Sequence, residues 1–264
     1  SLFKFPEKTG MYKSEKLNFK INENGIATEV SILNGPIFKR RSPLLLTTET
    51  FKITPVKPIN ELRREAEKTN PPLENSKSDK FDLVEIKNID KSIKYDIRYA
   101  SENNFMGSKF YKTSNAFLQR PAAEALKRVN EKLRSYGFGL LIHDAYRPWY
   151  VTKMFWDATP EDKKIFVANP QNGSRHNRGC AVDLTLYELS TGSPVEMISG
   201  YDEFTNRAFP YYYGGTTKQR WLRDLLREKM ESEGFSVYEY EWWHFDYKDW
   251  KKYGIGNLKF EDIK

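Results

Sequence analysis

Apolar positions along the chain recur with two periods, the two-residue repeat of a half-buried strand and the 3.6-residue repeat of a helix facing a core. In the first quarter the period is two. Residues 17–22 and 26–32 flank Asn24-Gly25, a two-residue hairpin signal, and residues 52–56 read as a further strand. A short charged helix over 60–68 (NELRREAEK) precedes TNPPLENSKSDK at 69–80. The Pro, Asn and Ser content of that stretch, with few apolar residues, predicts a linker and a boundary near residue 75. Beyond it, 81–86 reads as a strand. Residues 121–136 read as a helix with Pro121 in its first turn, Gly137 as its stop and Leu126, Val129 and Leu133 as its buried stripe. A buried strand over 139–145, a helix over 149–158 and an alternating strand over 181–186 follow. TKQRWLRDLLREKMES at 217–232 is the clearest amphipathic helix, halted by Gly234 and followed by a strand over 235–240. This succession predicts an α+β fold, with residues 76–264 as the main domain and residues 1–75 as a mainly β N-terminal extension.

Composition narrows the class. With 264 residues, 39% hydrophobic, 30% charged and 15% aromatic, the chain is an ordered globular protein able to bury a sizeable core. No apolar run approaches the roughly 18 to 20 residues of a membrane span, and PLLLTT at 43–48 is far too short. SLFKFPEKTG at the N-terminus lacks the basic, apolar and small-residue succession of a signal peptide, and its initial serine leaves room for a removed one. A lone Cys180 rules out an internal disulfide and fits both a reducing cytosol and a disulfide-poor cell envelope. Residues 1–80 hold 15 Lys and Arg against 10 Asp and Glu, so they carry +5 of the net +7. No recognised nucleic-acid motif occurs there, and a solvated basic surface is the expectation rather than a nucleic-acid partner. Nothing in the pattern sets an oligomeric state.

The candidate chemistry sits in two clusters. Two of the three histidines lie in SRHNRGCAVD (174–183) and EWWHF (241–245). Two imidazoles and a carboxylate are a common hydrolytic zinc set, because three protein ligands leave a fourth tetrahedral position for water. His176 and Asp183 are seven apart, with Gly179 permitting a tight return of the backbone. Asp183 shares a strand face with Ala181 and Thr185, while Val182, Leu184 and Leu186 point the other way into the core. An acidic side chain there needs a partner, either a metal or the hydrogen bonds of a structural Asp. Glu241, three before His244, is placed to accept a proton from water while the imidazole holds a metal. On an ideal strand a spacing of three puts the pair on opposite faces, so convergence requires a bulge or the strand's end. Without it Glu241 is a surface carboxylate, and Trp242 and Trp243 are ordinary core aromatics. His143 lies in the core or beside the site, outside the ligand set, and Cys180 reads as a small buried residue rather than a nucleophile.

DIRYASENNFMG (96–107), DAYRP (144–148), SRHNRGCAVDLTLY (174–187), GYDEF (200–204) and EWWHF (241–245) run in one order from about residue 81 to residue 250. In these motifs the chain resembles the D-alanyl-D-alanine dipeptidases of the vancomycin-resistance type, within the wider zinc D,D-peptidase family. The resemblance implies a central antiparallel sheet flanked by helices and one zinc per chain, held by His176, Asp183 and His244. It implies Glu241 as general base and then acid, and Arg147 as the residue that polarises the scissile carbonyl; a structural ion pair is the other reading of Arg147. Tyr99, Ser174 and Asp202 match positions that gather the amino end of a small D,D-dipeptide, although Asp202 also suits a loop-capping role. The loop over 189–213 is expected to cover or expose that pocket. The rival readings are a D,D-carboxypeptidase or peptidoglycan endopeptidase on longer peptides, and a non-catalytic cell-wall-binding module with structural zinc. The motifs do not reach residues 1–75, whose role they leave unassigned.

Overall fold

The computed structural model describes residues 17–21, 27–32, 37–39, 52–74, 78–203 and 205–263. The chain divides into two compact units, Ser1–Thr48 and Glu49–Lys264. In the smaller, β1 (Leu17–Ile21), β2 (Ala27–Ile32) and β3 (Ile37–Lys39) form an antiparallel sheet in that order. Leu17 pairs with Ile32, the register expected of the hairpin; its Asn24-Gly25 turn lies outside the described residues.

This division falls ahead of the boundary expected near residue 75. Residues 52–56 are not a strand. Pro55 within the segment and Pro58 just beyond it deny it a continuous ladder, and it docks by single backbone bonds instead, Ile53 N–H to Phe105 O at 2.7 Å and Val56 N–H to Ala158 O at 3.0 Å. Ile53 is buried in the main core, as are Leu62 and Ala66 of α1 (Ile59–Ala66). The expected linker is also anchored: Glu74 accepts from Arg178 Nη2 at 2.5 Å and from the Ile255 N–H at 2.8 Å.

The larger unit continues with β4 (Leu83–Glu85), α2 (Ile86–Ile89), β5 (Lys94–Tyr95), β6 (Phe117–Gln119) and α3 (Arg120–Arg134). Then come β7 (Phe138–Asp144), α4 (Trp149–Ala158), β8 (Ala181–Glu188), α5 (Thr217–Glu231), β9 (Phe235–Tyr238) and β10 (Glu241–Tyr247). The expected strand at 81–86 is shorter than read because Ile86 turns into α2 to reach the core. The central sheet has the order β5-β7-β8-β10-β9, antiparallel except for the parallel β5–β7 pair, and β4 pairs with β6 separately. The fold is α+β, as the pattern implied.

The two-residue alternation of β8 fixes what each face does. Val182, Leu184 and Leu186 are fully buried and join one core with Leu126, Val129 and Leu133 of α3 and Leu222 and Leu226 of α5. Helix α5 is started by Thr216, whose hydroxyl accepts the Gln219 N–H while the Gln219 side chain accepts the Thr216 N–H. The opposite face of β8 carries Asp183. Register then sets its neighbours: Asp144 of β7 stands across from Asp183 on one side and His244 of β10 on the other. No described helix is long and apolar enough to cross a membrane.

Because Ile53 belongs to the core of the larger unit, Ile53→Ala should cost about 2–5 kcal/mol, read as a lower Tm of that unit. A change within about 0.5 kcal/mol, ordinary for a surface site, would return residues 49–75 to the N-terminal extension.

Candidate active site

His176 comes from a single 3-10 turn, Arg175–Arg178, that feeds β8. Ser174 caps this turn by accepting the His176 N–H, and Asn177 closes a capping box by accepting the Ser174 N–H at 2.6 Å. Gly179 ends it at φ +68°, where a Cβ would lie 2.5 Å from a Leu83 methyl. A side chain there would strain the backbone and displace the Leu83 methyl. The buried Asn177 also donates to Arg147 O at 2.8 Å, and the Arg147 N–H donates to His176 O at 3.1 Å, so the turn and the DAYRP loop hold one another.

On β10 the register slips between Glu241 and Phe245: these residues pair with Tyr238 and Val237, adjacent positions on β9. The strand therefore bulges where the spacing of three demanded it. Glu241 Oε2 reaches 3.8 Å from His244 Nδ1.

His176, Asp183 and His244 bring one potential ligand atom each to within 4.8 Å of one another. The outer nitrogen of each ring faces an acceptor-only group: His176 Nδ1 is 2.7 Å from Ala145 O, and His244 Nε2 is 3.1 Å from Asp246 Oδ1. These nitrogens must carry the ring protons, which leaves lone pairs on His176 Nε2 and His244 Nδ1, 3.2 Å apart. Asp183 Oδ1 is 2.9 Å from His244 Nδ1 yet buried without a hydrogen bond, and Asp183 Oδ2 is 3.4 Å from His176 Nε2. Electron pairs directed at one another in a buried space need a cation between them, and the donor set fits a divalent metal. The surrounding carboxylates draw positive charge to this point, a proton on His244 where no metal is bound. Burial acts to raise the Asp183 pKa, but His176 and His244 outweigh it and hold the carboxyl well below the usual range. Burial disfavours a charged His244 ring, but Asp183 and Asp246 raise its pKa well above the ordinary value.

Glu241 keeps a quarter of its side-chain surface accessible, at the wall of a cavity of about 980 Å³. Burial, reinforced by the charge of Asp183 and opposed by His244, pushes its carboxyl up to about 7. Arg147 lines the same cavity. Its Nε and Nη2 donate to Asp144 Oδ2 at 2.9 and 2.7 Å, Nη2 is 4.0 Å from Asp183, and the guanidinium lies 5.2 Å from the Tyr99 ring and 4.9 Å from Phe155. Asp144 is fixed in turn by the Tyr111 hydroxyl at 2.7 Å. The ion-pair reading of Arg147 is thus real, and it aims the side chain at the cavity.

Tyr99 and Asp202 meet directly, the hydroxyl donating to Oδ2 at 2.8 Å. Asp202, at φ +54°, is the non-glycine residue with a positive φ among the described residues, a strained geometry of the kind that collects at functional sites. Burial first, then the charges of Asp183 and Glu241, push its carboxyl well above the usual range. Ser174 lines the cavity too, but its hydroxyl serves as the turn's cap. His143 is buried beside the site, its Nδ1 3.2 Å from Asp96 O and 3.3 Å from Arg98 Nε; burial, then Arg98, pushes its pKa down to about 4. Cys180 is buried, and burial raises its thiol to about 12.

Two partners escaped the sequence reading. Tyr201 donates to Asp183 Oδ2 at 2.9 Å and lies 3.1 Å from the Tyr99 hydroxyl, linking the candidate ligand to the Asp202 end. Only its place beside Asp202 pointed to it. Asp246, two beyond His244 on a strand and therefore on the same face, was recoverable from spacing.

Residues 79–258 match the peptidase family described as D-ala-D-ala dipeptidase. The chain belongs to that family. It is accordingly a metallopeptidase, and the motif order and the His-Asp-His cluster both agree with that placement. A D-alanyl-D-alanine dipeptidase of Escherichia coli (strain K12) is 32% identical over 169 residues, 64% of this chain and 86% of the relative. That of Enterococcus faecalis (strain ATCC 700802 / V583) is 33% identical over 171 residues, 58% and 85%. A solved LD-carboxypeptidase overlaps 73% of this chain and 83% of its own at 21% identity, with a TM-score of 0.41.

If Asp246 fixes the His244 ring, Asp246→Ala should weaken divalent-metal affinity by about 10–100-fold while the protein stays folded. Competition against a chromogenic chelator measures this; an unchanged affinity would remove Asp246 from the site.

Proposed function

We propose that the chain hydrolyses D-Ala-D-Ala, or a closely similar D,D-dipeptide, with one zinc held by His176, Asp183 and His244. The observation that carries this reading is the β10 bulge, which brings Glu241 to 3.8 Å from His244 Nδ1 at the wall of the same cavity. Family membership and the dipeptidase names of its relatives support it. When bound, zinc supplies Lewis acidity that brings the ionisation of water near neutral pH.

The remaining work belongs to side chains. Glu241 takes a proton from the attacking water and returns it to the amine released as the C–N bond breaks. Arg147 donates hydrogen bonds to the scissile carbonyl oxygen as it gains negative charge, and its bonds to Asp144 orient it without neutralising that capacity. Asp202, with Tyr99, receives the free ammonium. Asp202 is buried and feels the negative charges of Asp183 and Glu241, so an ammonium beside it supplies the opposing charge. Ser174 remains assigned to the substrate wall through its place in the cavity lining. A longer peptide presents an amide in place of the ammonium and leaves Asp202 unpaired.

One observation favours the rival activity on longer cell-wall peptides: about 980 Å³ lies at the upper end of cavities that hold drug-sized ligands, well beyond a dipeptide. Comparing D-Ala-D-Ala with its N-acetyl derivative separates the two. The free dipeptide should be the better substrate, and preference for the acylated form would overturn the dipeptidase reading. Glu241→Ala should keep its metal and lose at least about a hundredfold in kcat; turnover near that of the unaltered protein would exclude Glu241 as the base.

A further inference from the structure

The cavity lining carries one basic side chain that no step of the hydrolysis uses. Among the described residues lining the cavity the only arginines or lysines are Arg147 and Arg175. Arg147 is committed to Asp144 and almost enclosed, its side chain 10% exposed. Arg175 is 38% exposed. It is also held in place: Nη1 pairs with Asp246 Oδ2, and the guanidinium carbon lies 4.9 Å from the Trp250 ring centre and 6.0 Å from that of Tyr238. The hydrogen bond described for its side chain occupies Nη1, which leaves Nε and Nη2 as further donors.

Arg175 and Asp202 connect to the candidate metal triad through different ligands. Asp202 joins the triad through Tyr99, Tyr201 and Asp183. Arg175 joins it through Asp246 and His244, and Tyr238, whose ring is 5.4 Å from that of His244, completes the same wall. A free dipeptide is a zwitterion with one scissile bond between its charges. A cavity that offers a carboxylate linked to one ligand and a guanidinium linked to another has a partner for each of those charges.

We propose that Arg175 receives the free carboxylate of the substrate, so that the enzyme reads both termini: Asp202 the ammonium and Arg175 the carboxylate. The proposal rests on the dipeptidase reading and adds a specificity residue to it. Guanidinium offers paired donors matched to the two carboxylate oxygens, and part of the ordering cost is already met by Asp246 and Trp250.

The test measures kcat and KM for D-Ala-D-Ala and for its C-terminal amide, in the unaltered protein, Arg175→Gln and Arg175→Lys, with metal content and Tm recorded for each. Any disturbance of Asp246 and His244 affects both substrates and cancels in their ratio. The unaltered protein should prefer the acid. Arg175→Gln should raise KM for the acid by about tenfold to a hundredfold, the worth of a charged hydrogen bond, and leave the amide little changed, so that the preference collapses. Arg175→Lys should restore part of it, and carries the comparison alone if the Gln variant does not fold. An acid-to-amide preference unmoved in both variants, with D-Ala-D-Ala still cleaved, overturns the role of Arg175 and spares the dipeptidase reading. Failure of the unaltered, metal-loaded protein to cleave D-Ala-D-Ala overturns that reading and this proposal with it.

Discussion

Two imidazole nitrogens and a carboxylate, brought within 4.8 Å of one another inside the protein, are the constraint to which the surrounding structure answers. Left with only one another, such groups cost free energy, because burial removes the water that would solvate their lone pairs. The fold accepts that cost by taking the ligands from separate places and orienting each from behind. Asp183 and His244 face each other across adjacent strands by register. His176 arrives from a turn that Ser174, Asn177 and Gly179 all shape. Ala145 O and Asp246 then set which nitrogen of each ring looks inward.

The same economy extends to the neighbouring chemistry. The β10 bulge that admits Glu241 lies beside the pairing that holds His244, so one irregularity positions both the proposed base and a candidate ligand. On β7 a second irregularity, between Ile142 and Asp144, turns Asp144 toward Asp183, and Asp144 in turn holds Arg147. Tyr201 and Asp246 carry the network outward from the ligands, one toward Asp202 and the other toward Arg175.

Periodicity made the regular elements legible, and the helix Trp149–Ala158 falls where the apolar spacing put it. The motifs pointed to the groups that the fold brings together, His176, Asp183, His244 and Glu241, because ligand chemistry restricts residue type. What escaped has physical causes. Residues 52–56 have strand-like composition, but a strand needs a partner along its length, and prolines leave this segment only isolated bonds. The stretch 69–80 looks like a linker by composition, yet Glu74 ties it to Arg178 in the turn that bears His176, a contact over 104 positions that no local window registers. A bulge leaves no signature in alternation, so the approach of Glu241 to His244 could be stated only as a requirement. Tyr201 is informative only through what its hydroxyl reaches.

The central claim is that His176 Nε2, Asp183 and His244 Nδ1 hold a single metal with Glu241 beside it rather than bound to it. Anomalous diffraction from zinc-loaded crystals at the zinc edge tests this directly. The account predicts one peak per chain bonded to those three residues, with N and O distances of about 2.0–2.2 Å and the Glu241 carboxylate outside the ligand set. A peak elsewhere, or one in which Glu241 replaces Asp183 as a ligand, would contradict it.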